Sequence, residues 1–368
     1  MIVYYDESIL TYVASIRNYF GLTSSYPANE ALSALLNEKR PEKIFLMLID
    51  AMGSNLIERK LPEDSFLRKH MTYVTTTVFP STTTAATTAI RNGRAPNENA
   101  WLGRCQYLKE ADDIIVPLRS CSFYEDRIYP GDIMNQYVPV SSTENELNRI
   151  GIKARNLYPS FREDGCEDFD EMCGRLIRFS NDEDFRYIYA YWDKYDSYMH
   201  KHGPSSKICD AYLNFLDREI ENLAENLAED TMLIVTADHG QVDTNRVYNL
   251  YGSPFDAYFS MRPSIEPRAM TFFIKEGMQE EFAKKFKETF ENDYVLLTHR
   301  QVLETRLFGD HENHPRFEEF VGDFLAIAKS DLVLDYSDRP KNSKGKFGGM
   351  HAGMCEDELM IPVITYMK

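Results

Sequence analysis

The chain has 368 residues, 43% of them hydrophobic, with 58 acidic against 41 basic side chains and a net charge of −17. That balance excludes broad binding to nucleic acid or to an anionic membrane surface, both of which need a basic track, and no apolar run approaches the roughly 18 residues of a membrane span. Six cysteines without CxxC spacing predict neither a zinc knuckle nor a disulfide framework, and a start (Met1–Glu7) without the pattern of a secretory signal makes the cytoplasm the expected location.

Residues 1–40 read as mostly helical, with Ile9, Tyr12, Val13, Ile16 and Tyr19 near helical spacing. The run Ile44–Ile49 predicts a buried strand that ends in Asp50, with Gly53 opening the turn after it. Residues 78–84, VFPSTTT, lead into a small-residue helix over 85–90. A proline followed by hydroxyl residues marks a helix start, where free backbone N–H groups favour an anion. Residues 101–124 show no single period. A helix over 168–179, an aromatic strand over 185–192 ending near Asp193 and Asp196, and an amphipathic helix over 206–228 come next. That helix feeds a second buried strand, Met232–Val235, in strand–helix–strand order with a right-handed crossover.

Asp238, His239 and Gly240 follow that strand at its carboxyl end, where open α/β sheets hold their ligands. Beyond it the texture changes: strands over 268–273 and 294–298 flank a charged helix over 279–291, and 331–335 reads as another strand. Residues 251–340 are therefore expected to form a small α/β insertion, and 1–250 with 341–368 the catalytic core. A glycine-rich loop over 343–353 carries His351 and lacks the Walker pattern, and 359–366 returns as a final strand.

Four separated segments thus place metal-ligand side chains at a strand end or glycine-rich turn: Asp50, Asp196 with His200, Asp238 with His239, and His351. Each has a plainer reading in isolation, Asp50 and Asp196 as helix caps, His200 as a surface residue, His351 as a loop residue. Asp196 and His200, four apart, share one face of a helical turn and can chelate one ion. Asp193 and His202 are weaker neighbours of that pair. Two cations held by such a set would clamp the attacking and leaving oxygens of an in-line displacement, which points to phosphoryl transfer. A threonine hydroxyl from the 82–84 run becomes a competent nucleophile only beside such charge.

The order Asp50, PSTTTAATT, DSYMH followed by KHGP, TADHG and a late His351 resembles the alkaline phosphatase superfamily, specifically its nucleotide pyrophosphatase/phosphodiesterase members, over nearly the whole chain. The resemblance implies a three-layer α/β sandwich with a mostly parallel central sheet. It also implies a two-zinc site in which a Thr or Ser is transiently phosphorylated. Carried over by position, one zinc takes Asp196, His200 and His351, and the other takes Asp50, Asp238, His239 and the nucleophile. In that superfamily the nucleophile lies ten residues before a glycine closing the next helix; Gly93 is that glycine here, which selects Thr83. The expected activity is hydrolysis of phosphodiesters or nucleotide pyrophosphates on a small phosphorylated substrate. A phosphomonoesterase or phosphonate hydrolase on the same metals is the alternative, and a catalytically silent metal- or ligand-binding protein the non-enzyme one. The extra charge of a monoester calls for a further cation, for which Arg268, Lys344 and Lys346 are candidates by their place beside the motifs.

Overall fold

The computed structural model describes residues 3–338 and 347–368; Lys344 and Lys346 lie outside the described residues. A six-stranded sheet organises the chain. Its members are β1 (Lys43–Ile49), β2 (Met71–Thr76), β3 (Lys153–Leu157), β4 (Phe185–Trp192), β5 (Thr231–Thr236) and a last strand, Met360–Met367. The spatial order is β2, Met360–Met367, β5, β1, β4, β3. β1 runs parallel to both β4 and β5, and β3 parallel to β4, whereas Met360–Met367 lies antiparallel between β2 and β5. Five strands therefore run one way and the last runs against them, a direction that an apolar run alone does not encode.

Every residue of β1 and β5 is buried. Successive side chains of a strand point to opposite faces, so full burial means that both faces of the sheet centre are covered. α1 (Ile9–Tyr19) and α2 (Thr83–Asn92) pack on each other within this core. The Ala and Thr side chains of α2 are mostly buried and small, which lets its backbone approach closely. α3 (Lys194–His202) and α4 (Lys207–Asn226) connect β4 to β5. Ser206 caps α4 by accepting from Cys209 N at 3.3 Å, and the buried stripe Cys209, Leu213, Leu216, Ile220 and Leu223 follows the predicted helical period.

Two regions differ from expectation in detail. Residues 101–124 form a three-stranded antiparallel sheet of very short strands, Gln106–Leu108, Asp113–Val116 and Cys121–Ser122, too brief to show a period. In the 251–340 stretch, β6 (Phe259–Glu266), β7 (Ala269–Ile274), β8 (Tyr294–Thr298) and β9 (Phe324–Ala328) form an antiparallel sheet in the order β6, β7, β9, β8. The helix α5 (Gln279–Phe290) buries Phe282, Phe286 and Phe290 in a second apolar cluster with Phe255, Phe272 and Phe324. This sheet is tied to the 101–124 region: Cys105 and Ile265 exchange backbone hydrogen bonds at 2.8 and 3.3 Å.

Candidate active site

The carboxyl ends of β1, β4 and β5 open on one place. Asp50 follows β1, Asp196 and His200 lie on α3 just after β4, and Asp238 and His239 follow β5. The turn holding Asp238 and His239 is tight. Gly240 N donates to Glu358 O at 2.9 Å, and a Cβ on Gly240 would sit 2.0 Å from Asp357 O, so only glycine fits. Ala51 and Ala352, neighbours of Asp50 and His351, have φ of 62° and 92°. Left-handed backbone in non-glycine residues is sparsely populated and clusters at functional sites.

All seven residues singled out from the sequence meet here. Asp50, Asp238 and His239 offer ligand atoms within 4.8 Å of one another, and so do Asp196, His200 and His351. The groups adjoin: the His239 and His351 rings stack with centroids 3.8 Å apart. Thr82 is the N-cap of α2 and Thr83 its first helical residue. Thr83 Oγ1 stands 3.2 Å from His239 Nε2 and 3.5 Å from Asp50 Oδ2. Asp193 lies at the start of α3 outside both groups, and His202 sits at its far end beside Tyr198.

The three histidines are held alike. Nδ1 of His239 faces Gly240 O at 2.9 Å, Nδ1 of His200 faces Gly349 O at 2.9 Å, and Nδ1 of His351 faces Ser81 O at 3.0 Å. A carbonyl only accepts, so in each neutral ring the proton is on Nδ1 and the Nε2 lone pair points inward. Around His239 Nε2 stand Asp50 Oδ1 at 3.4 Å and Asp238 Oδ2 at 3.5 Å, two buried oxygens without a hydrogen-bond partner. Around Asp196 stand His200 Nε2 at 3.3 Å and His351 Nε2 at 3.8 Å. Burial, with the charges of Asp238 and Asp196 added, pushes the Asp50 carboxyl well above its ordinary range, and burial raises Asp238 too. Burial, with His239 beside it, pulls the His351 imidazole well below its usual value. Carboxyl groups that burial makes costly to ionise, facing inward imidazole nitrogens, are a donor set whose charge a divalent cation offsets. Mixed His and Asp donors suit zinc among such cations.

Several supporting residues escaped the sequence reading. Tyr191 on β4 donates its hydroxyl to Asp50 Oδ2. Gln241 donates to Asp196 Oδ1 at 2.8 Å. Glu266, at the end of β6, accepts from Thr82 Oγ1 at 2.5 Å and from Arg104 N at 2.8 Å. None carries a local signal, because each acts through a partner distant in the chain. Arg268, a candidate phosphate contact by its place in the sequence, has a different role in the fold. It is fully buried and forked onto Glu358 at 2.7 and 3.0 Å, with a further bond to Ser330 O at 2.6 Å, so it locks β7 to the His351 loop.

Residues 135–354, more than half of the chain, match the profile of the family described as type I phosphodiesterase/nucleotide pyrophosphatase. The chain belongs to this family. It is accordingly a hydrolase acting on phosphate esters, of the alkaline phosphatase superfamily. No curated protein matches the chain. Among solved structures, murine ectonucleotide pyrophosphatase/phosphodiesterase 5 shares the fold with 15% identity, 88% coverage of each chain and a TM-score of 0.67; an inactive variant of it was solved in complex with AMP. Phosphonoacetate hydrolase from Sinorhizobium meliloti 1021, in complex with phosphonoacetate, aligns with 12% identity, covers 88% of this chain and 90% of its own, and has a TM-score of 0.65. The fold is thus the alkaline-phosphatase-like α/β architecture of this family. Among the described residues no helix is long and apolar enough to cross a membrane.

Proposed function

We propose that this type I phosphodiesterase/nucleotide pyrophosphatase family member hydrolyses phosphodiesters or nucleotide pyrophosphates through a phosphorylated Thr83 on a two-zinc site. The observation that supports it most is the position of Thr83 Oγ1, 3.2 Å from the inward Nε2 of His239 and 3.5 Å from Asp50. Asp196, His200 and His351 would hold one cation, and Asp50, Asp238, His239 and Thr83 the other. Bound there, the pair supplies positive charge that acidifies the threonine hydroxyl and steadies the phosphoryl oxygens.

The chain's own residues supply the rest. Thr83 Oγ1 loses its proton to solvent and forms a bond to phosphorus, while the ester or anhydride oxygen leaves with its electron pair and is protonated by solvent. Water then attacks the same phosphorus, frees Thr83 and releases the phosphate product. Thr83 opens α2, so first-turn N–H groups without intrahelical partners face the phosphoryl oxygens. The Glu266 carboxylate holds Thr82 and thereby fixes the rotation of that first turn. AMP in the complex of the murine neighbour supports a nucleotide-type substrate here. Phosphonoacetate in the bacterial neighbour supports the alternative of a phosphonate or monoester on the same groups. The six free cysteines, four of them buried, support a location in the reducing cytoplasm.

The test is turnover of p-nitrophenyl mono- and diesters, with metal analysis, on wild type and Thr83→Ala. Diester hydrolysis that disappears in the variant while both metals stay bound is the expected result. A metal-loaded but inert wild type, or a variant as active as wild type, refutes it.

A further inference from the structure

The groups placed at the site so far are carboxylates, imidazole lone pairs and one hydroxyl. A phosphate substrate with more than one negative charge also needs a cationic side chain, and the described residues hold a candidate in Arg104. Its side chain is exposed and makes no ion pair among the described residues, although acidic side chains outnumber basic ones 58 to 41 in this chain. An unpaired guanidinium in so acidic a protein is available to an anionic ligand.

Its placement is built rather than incidental. Gly103 is pressed against β6: a Cβ there would lie 2.7 Å from the Ile265 side chain. Cys105 is paired to Ile265 through the backbone. Between them, Arg104 N donates at 2.8 Å to Glu266 Oε1, the same oxygen that accepts from Thr82 Oγ1. The Arg104 backbone and the residue preceding the nucleophile are therefore two hydrogen bonds apart through one carboxylate oxygen. The side chain lies over the Phe123 ring, 5.3 Å from its centroid.

We propose that Arg104 is a substrate-binding residue whose guanidinium receives a second negative charge that a simple phosphodiester lacks. That charge sits either on the reacting phosphoryl group, as in a monoester, or on the adjacent phosphoryl, as in a pyrophosphate. The inference rests on the reading of Thr83 as nucleophile and deepens it by naming the charge class of the substrate. It also accounts for a chain with this charge balance accepting a polyanion: one fixed guanidinium, with the cations, does locally what the surface does not.

The experiment measures kcat and KM for bis(p-nitrophenyl) phosphate, p-nitrophenyl phosphate and ATP on zinc-loaded wild type, Arg104→Gln, Arg104→Lys and Thr83→Ala. Relative to its effect on the diester, Arg104→Gln is expected to lower kcat/KM for p-nitrophenyl phosphate or ATP on the order of 10- to 100-fold, the size of a lost charge-assisted contact. Most of the loss falls in KM, and Arg104→Lys recovers part of it. A loss on p-nitrophenyl phosphate places the second charge on the reacting group; a loss on ATP alone places it on the neighbouring phosphoryl. An equal loss on all three substrates, or a wild type that turns over the diester only, overturns the role of Arg104 while leaving the Thr83 reading intact. Turnover that survives Thr83→Ala overturns that reading and the inference built on it.

Discussion

The buried pair Arg268–Glu358 gives the sharpest stability prediction. Both side chains are fully buried, and the two-point contact at 2.7 and 3.0 Å is joined by Gly353 N and Cys355 N, which donate to the same carboxylate at 2.9 and 3.1 Å. Replacing Arg268 by Leu leaves a buried carboxylate whose counter-charge is gone, at a cost of about 3–5 kcal/mol. Replacing Glu358 by Leu strands the guanidinium and also two backbone donors, each worth roughly 1–3 kcal/mol when unsatisfied, so its cost is expected to be the larger. The double variant removes both charges but still leaves the two N–H groups unpaired. It is therefore predicted to be less destabilised than the sum of the singles by about 2–4 kcal/mol. Urea unfolding of the metal-free proteins, followed by circular dichroism, measures all four. Singles that each cost under about 1 kcal/mol, or strictly additive effects, would refute the reasoning.

Three further perturbations test other parts of the architecture. Tyr191→Phe removes the hydroxyl that orients Asp50; zinc affinity, measured by competition with a chromogenic chelator, is expected to fall roughly 10- to 100-fold, and unchanged affinity contradicts that role. Gly240→Ala forces a methyl onto Asp357 O and is expected to lower thermal stability and metal content together; soluble, fully metallated protein with wild-type thermal stability would show the close approach to be irrelevant. Burial raises the Asp217 carboxyl above its ordinary value, against the pull of the Leu67 and Phe66 N–H groups. A raised folded-state pKa favours folding below the unfolded value of about 3.9, and that contribution is lost as pH rises through the folded value. Asp217→Asn, which can still accept from Leu67 N, should therefore gain stability relative to wild type as pH is raised from about 3.5 to 6. A difference that is flat or moves the other way removes the burial argument.

What could be read from the chain and what stayed hidden follow from the range of the interactions. Ile44–Ile49 and Met232–Val235 are readable because a strand covered on both faces must be apolar throughout, and the Asp196–His200 pair is readable because the helical repeat fixes its geometry. β2 and β3 were not readable. They lie at the sheet edges, are short, and mix exposed with buried positions, as in Met71–Thr76. Glu266 gave no signal, since it reaches Thr82 only after β6 docks across 184 positions of chain. Arg268 misled for a related reason: its closeness to the motifs in sequence placed it near a substrate, and burial against Glu358 uses its donors for structure instead.

Two cations beside Thr83 are the centre of the proposed chemistry, and anomalous scattering from a crystal grown with zinc tests for them most directly. Two peaks are expected, one among Asp50, Asp238, His239 and Thr83, the other among Asp196, His200 and His351. A single peak remote from Thr83, or none at these side chains in metal-loaded protein, contradicts it.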